Sequence, residues 1–142
     1  MRYILIGAVL VVSALGSSFV PASIRASTNP GDELETLQET VSLRAQDGAR
    51  LLAIYHYPAA RRPKTAVLIM HPRGGETNHF ILKPLARAGI GALGMASRNP
   101  GRSAIHEELL LDAAAGIKFL RGRGIDHIIL AGHSGGGSLM AL

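Results

Sequence analysis

The run His127-Ile128-Ile129-Leu130-Ala131 leads directly into Gly132-His133-Ser134-Gly135-Gly136, a G-x-S-x-G turn with only eight residues after its serine. A short apolar run next to glycines reads as a strand. Ser138 to Leu142, beyond the turn, is compatible with a helix start. A serine hydroxyl is a weak nucleophile unless a base takes its proton and the chain presents its oxygen to the substrate. A tight strand-to-helix turn does the second job. It leaves no room for a Cβ two residues before or two after the serine, and Gly132 and Gly136 occupy those places. The first helical turn then offers unpaired N–H groups and the positive end of a dipole to an oxyanion, with Gly135 as the expected donor. A bare G-x-S-x-G arises by chance in a chain with 17 glycines. The strand before it and the helix-compatible segment after it separate this one from a mere flexible or packing turn.

Upstream, Thr65 to Met70 is a continuous apolar run ending in His71-Pro72-Arg73-Gly74-Gly75. A loop leaving a central strand can aim a backbone N–H at the same oxyanion, and one such donor is worth on the order of 10² to 10³ in rate. Proline has no N–H, so Arg73 or Gly74 is the expected donor. The plainer alternative is a turn that only starts the next helix.

Between and before these landmarks the elements alternate. Thr40 to Ala45 and Leu51 to Tyr57 flank Asp47-Gly48 and read as a β-hairpin. Asn78 to Ala88 has Ile81, Leu85 and Ala88 in helical register. Pro84 within that segment suits a first helical position, which moves the expected start there. Ala92 to Ala96 reads as a strand and Ser97 to Ser103 as a loop. Ile105 to Arg121 is the clearest helix: Leu109, Ala113, Ile117 and Leu120 share one face, with Glu108, Asp112 and Arg121 largely off it, and Gly122 and Gly124 end it. A hairpin followed by β-α-β-α-β-turn-α predicts an α/β class with a mostly parallel sheet.

The 142 residues, 47% hydrophobic and 18% charged, fit one small globular domain with a modest core. The net charge of +5 comes from fifteen Lys and Arg scattered singly or in pairs, with three Phe and three Tyr. That is no nucleic-acid surface. The absence of cysteine excludes disulfides, thiolate metal sites and a Cys nucleophile. Met1-Arg2, the apolar Ile4 to Leu15 and the small, polar Gly16 to Ala26 have the layout of a secretory signal peptide. Twelve helical residues reach about 18 Å, short of the roughly 30 Å hydrocarbon core. The reading is therefore a leader over residues 1–26, cut after Ala22 or Ala26, and a secreted or periplasmic protein with no stable membrane span afterwards. An uncleaved anchor over Tyr3 to Val20 is the lesser alternative. Residues 27–36 are expected to be an exposed lead-in, and the domain to occupy 37–142.

Taken together, Ala66 to Pro72, Arg98-Asn99-Pro100-Gly101-Arg102-Ser103 and Gly132 to Gly136 resemble the N-terminal half of the α/β-hydrolase fold, in family order and spacing. The resemblance runs from Thr65 to Leu142 and implies a three-layer architecture. It also implies Ser134 as nucleophile, an oxyanion hole from Arg73 or Gly74 with Gly135, and a small-molecule acyl substrate with no cofactor. Proline at position 72 departs from the commoner glycine of the family. In this family the acid and the histidine follow the serine, whereas Gly135 to Leu142 contains no Asp, Glu or His. The expectation is a serine hydrolase present as an incomplete, inactive chain, with Asp126 to Ala131 left as an exposed apolar edge.

Among the histidines, His133 is expected to point away from the neighbouring serine and His71 to fix the oxyanion loop. His56, His106 and His127 have solvated or structural placements, and His79 lies nearest the pocket mouth. No metal is expected, because His106-Glu107-Glu108 lacks the second histidine of H-E-x-x-H. The glycine turn has no Lys-Ser or Lys-Thr after it and so is no P-loop. A non-catalytic binding module and a nucleotide-binding α/β domain remain the rival readings.

Overall fold

The computed structural model describes residues 33–101 and 106–141. The leader, its cleavage sites and most of the lead-in lie outside the described residues. β1 (Thr36–Arg44) and β2 (Arg50–Pro58) form the hairpin, paired in register from Thr36 opposite Pro58 to Arg44 opposite Arg50. The turn closes through Ala45 N–H to Ala49 O at 2.9 Å and Gly48 N–H to Ala45 O at 3.0 Å, with Gly48 at φ 93°. Both strands extend beyond the sequence-based limits. β1 has few buried positions, so side-chain alternation marks its first residues poorly, while backbone pairing with β2 carries them.

β3 (Thr65–Ile69), β4 (Gly91–Met95) and β5 (His127–Ala131) complete a five-stranded sheet in the order β1-β2-β4-β3-β5. β3 pairs in parallel with both β4 and β5, whereas β2 meets both β1 and β4 antiparallel. The sheet is thus mixed: a parallel half that carries the loops of interest and an antiparallel hairpin half.

Successive side chains on a strand point to opposite faces, and β3 uses both. Ala66, Leu68 and Met70 join one buried cluster, while Val67 and Ile69 join another. α2 (His106–Gly122) covers the first face with Leu109, Ala113 and Leu120, beside Leu139 and Met140 of α3 (Gly135–Met140). α1 (Leu82–Arg87) covers the second through Leu82. Helices on both faces give the three layers. Full burial of Leu68, Leu93 and Leu109 contributes about 1.5–3 kcal/mol each.

Two expectations need correction. α1 begins at Leu82 and not at Pro84, after a 3-10 turn at Glu76–Asn78. Pro84 is the third helical residue, where a missing N–H still costs no intrahelical bond. Asp112, assigned by periodicity to the polar side of its helix, is fully buried, because it faces the loop after β4 and receives Arg98. β5, expected as an exposed apolar edge, pairs only with β3 among the described residues and leaves Ile129 42% exposed. It is an apolar edge.

Candidate active site

β5 delivers the chain to the elbow, and there the backbone departs from ordinary conformations. Ser134 has φ 52° and ψ −127°, the sole positive φ of a non-glycine among the described residues. Such a conformation costs on the order of 1–3 kcal/mol and persists only when its surroundings enforce it. The neighbours do so. A Cβ on Gly136 would lie 2.6 Å from Met70 O, and one on Gly132 would overlap the Gly136 backbone. With both positions bare, the turn folds against the end of β3, and Ser134 stays exposed at its apex. Gly136 N–H donates to His133 O at 2.8 Å and Gly137 N–H to Ser134 O at 3.0 Å. Gly135, first residue of α3, has no carbonyl within its own helix to reach.

The loop after β3 packs directly on this turn. A Cβ at Gly135 would sit 3.5 Å from Pro72 Cγ and 3.8 Å from His71 Nε2. The structure therefore brings Gly135 and the His71-Pro72 loop together. Within that loop both upstream donor candidates turn toward His71: Arg73 N–H donates to its Nδ1 at 3.2 Å, and Gly74 N–H to its carbonyl oxygen at 3.4 Å. Both bonds are long, so either amide is held loosely. Acceptance at Nδ1 leaves the neutral His71 ring with its proton on Nε2.

Three histidines gather at this end of the sheet. The His71 and His133 rings stack at 5.3 Å between centroids, and His79 lies 5.9 Å from His133. His79 also stacks on Phe80 at 4.6 Å, and Phe80 is 80% exposed. Glu76, on the 3-10 turn, places Oε2 3.9 Å from His79 Nε2. Glu76 drew no notice in the sequence, since nothing local shows it to be buried beside an elbow far along the chain. By contrast, His56 on β2, His106 at the start of α2 and His127 at the start of β5 belong to other parts of the fold. Burial, reinforced by Lys83, holds the His56 pKa below the usual imidazole range.

The loop after β4 is fixed by an ion-pair network. Arg98 donates Nε–H and Nη2–H to Asp112 Oδ1 at 3.0 and 2.8 Å, and its backbone N–H to Asp112 Oδ2 at 3.0 Å. Its Nη2 also reaches Glu108 O at 2.9 Å, and its Nη1 reaches Asp47 in the hairpin turn at 2.5 Å. The Asp112 hydrogen bonds raise the Arg98 pKa, while Arg98 in turn lowers that of Asp47. One guanidinium thereby joins the hairpin turn, the β4 loop and α2.

No protein-family model and no curated protein matches the sequence. Solved structures do. The chain is similar to esterase Est22, at 25% identity and TM-score 0.60 over 73% of this chain and 37% of that one. A cold-adapted esterase from an Arctic intertidal metagenomic library is 22% identical at TM-score 0.60, over 79% of this chain and 57% of that one. Oligopeptidase B from Trypanosoma brucei is 15% identical at TM-score 0.59, over 73% of this chain and 18% of that one. The chain spans less than two-thirds of each neighbour's length. The shared element order is that of the α/β-hydrolase fold, as the sequence resemblance implied.

Proposed function

From a chain of α/β-hydrolase fold, we propose a serine hydrolase that cleaves an ester or related acyl bond through an acyl-enzyme on Ser134. The observation that carries this reading is the strained Ser134 backbone, φ 52° and ψ −127°, packed against the loop after β3. A strand-to-helix elbow of this kind lifts Oγ clear of its neighbours. Attack on the carbonyl carbon forms the tetrahedral intermediate, whose oxyanion is met by Gly135 N–H. Arg73 or Gly74 N–H supplies the second donor once it leaves its long bond to His71. Loss of the leaving group gives the acyl-serine, and water releases the acid. The esterase neighbours favour a small-molecule ester as substrate.

Proton removal from Ser134 needs a histidine oriented by an acid, and none lies between Gly135 and Leu142. The 142-residue chain by itself is accordingly proposed to be inactive. The reading requires an acid and a histidine from elsewhere than this segment, and the coding sequence after the Leu142 codon is the test. An open frame that adds an Asp or Glu and then a His, with ester turnover lost in Ser134→Ala, supports the enzyme. A stop codon there favours a hydrolase-like binding module instead.

Secretion or periplasmic export through a leader over residues 1–26 belongs to the same proposal. N-terminal sequencing of the exported protein should start at Ser23 or Ser27; a retained Met1 would favour the anchor.

A further inference from the structure

The 3-10 turn after β3 and the nucleophile elbow bring three side chains of metal-binding type together. In a 3-10 turn positions i and i+3 eclipse, so Glu76 and His79 project to the same side of Glu76–Asn78, with His79 N–H donating to Glu76 O at 3.1 Å. The elbow sets His133 opposite them. One ligand atom from each of Glu76, His79 and His133 lies within 4.8 Å of the others.

The carboxylate is the unusual member. Glu76 is only 8% exposed, and among the described residues its nearest basic atom is His79 Nε2 at 3.9 Å, beyond hydrogen-bond length. Two imidazoles and one carboxylate are a zinc-type ligand set that leaves a coordination position open, and imidazole nitrogens disfavour magnesium and calcium. Ligand atoms around zinc sit about 3.4 Å apart, given bonds of about 2.0–2.2 Å. Glu76 Oε2 and His79 Nε2 already stand at 3.9 Å, and the exposed His133 has to move inward to complete the set.

We propose that Glu76, His79 and His133 form a site for a zinc-type divalent transition metal that ties the loop after β3 to the elbow. The site goes beyond acyl transfer and stands whether or not Ser134 is a nucleophile. His79 Nδ1 accepts from Ile81 N–H at 3.4 Å, so ligation through Nε2 moves the ring proton to Nδ1 and gives up that long bond. Expectations from spacing missed the site because its third ligand arrives only through β3–β5 pairing.

The test is calorimetric titration of the untagged full chain with zinc chloride, alongside thermal melts. One zinc per chain should bind, raising the melting temperature as mass action requires. His79→Ala and His133→Ala should each weaken binding at least about tenfold, while His106→Ala and His127→Ala, with exposed positions elsewhere, leave it unchanged. Excess magnesium should not displace the zinc. His133 is exposed, so its alanine variant keeps the fold, which circular dichroism verifies, and decides the matter even if Glu76→Gln unfolds. Unchanged zinc affinity in His133→Ala, or no zinc uptake by the chain, overturns the proposal.

Discussion

Gly132 stands so close to Gly136 that a Cβ on the first would lie 2.8 Å from the Cα of the second and still nearer its carbonyl. The serine between them is held in its strained conformation by this approach and by that of Gly136 to Met70 O. Gly132→Ala and Gly136→Ala should each destabilise by about 1–3 kcal/mol, the range for forced overpacking. Gly137→Ala is the control. Its Cβ would meet Gly132 O at 3.4 Å, an ordinary contact, and alanine favours a helix over glycine by up to about 1 kcal/mol. Urea midpoints should fall for the first two and hold or rise for the third.

Asp112 is fully buried and accepts three hydrogen bonds from Arg98. Asp112→Ala leaves a nearly buried guanidinium without its main partner and should cost about 3–5 kcal/mol. Asp112→Asn, which keeps an acceptor oxygen, should cost less. The Lys64–Asp126 pair, 72% and 59% exposed, gives the contrast: Asp126→Ala should change stability by no more than about 1 kcal/mol. Denaturation at pH 7 measures all three.

Acid should weaken the fold in two steps. Burial depresses the His56 pKa, with Lys83 adding to the effect, so the unfolded chain binds a proton near pH 6.5 before the folded chain does. Stability therefore declines as pH drops from about 6.5 toward the folded value, then levels. Asp47, whose pKa the Arg98 hydrogen bond lowers, contributes stability present above pH 3.8 and lost as pH falls through its folded value. His56→Gln should flatten the first step and leave the second. A slope between pH 7 and 5 that persists in His56→Gln would assign it to other groups.

The parallel half of the fold was legible because each of its strands is a compact apolar run next to glycine or proline, and Ser134 was legible because the elbow's steric demand falls on Gly132 and Gly136. What the sequence concealed was tertiary. Asp112 looked solvent-facing until Arg98 was placed beside it. The Glu76, His79 and His133 cluster joins a local i, i+3 pair to a residue far along the chain. The posture of Arg73 and Gly74, both turned toward His71, depends on loop geometry that no spacing encodes.

Reaction of Ser134 with a fluorophosphonate, located by peptide mass spectrometry, tests the central claim most directly. Protein encoded through and beyond the Leu142 codon should carry the label on Ser134, lose it in Ser134→Ala, and react far faster than the 142-residue chain. Label on another residue of the folded longer protein, or equal rates for the two chains at Ser134, would contradict the account.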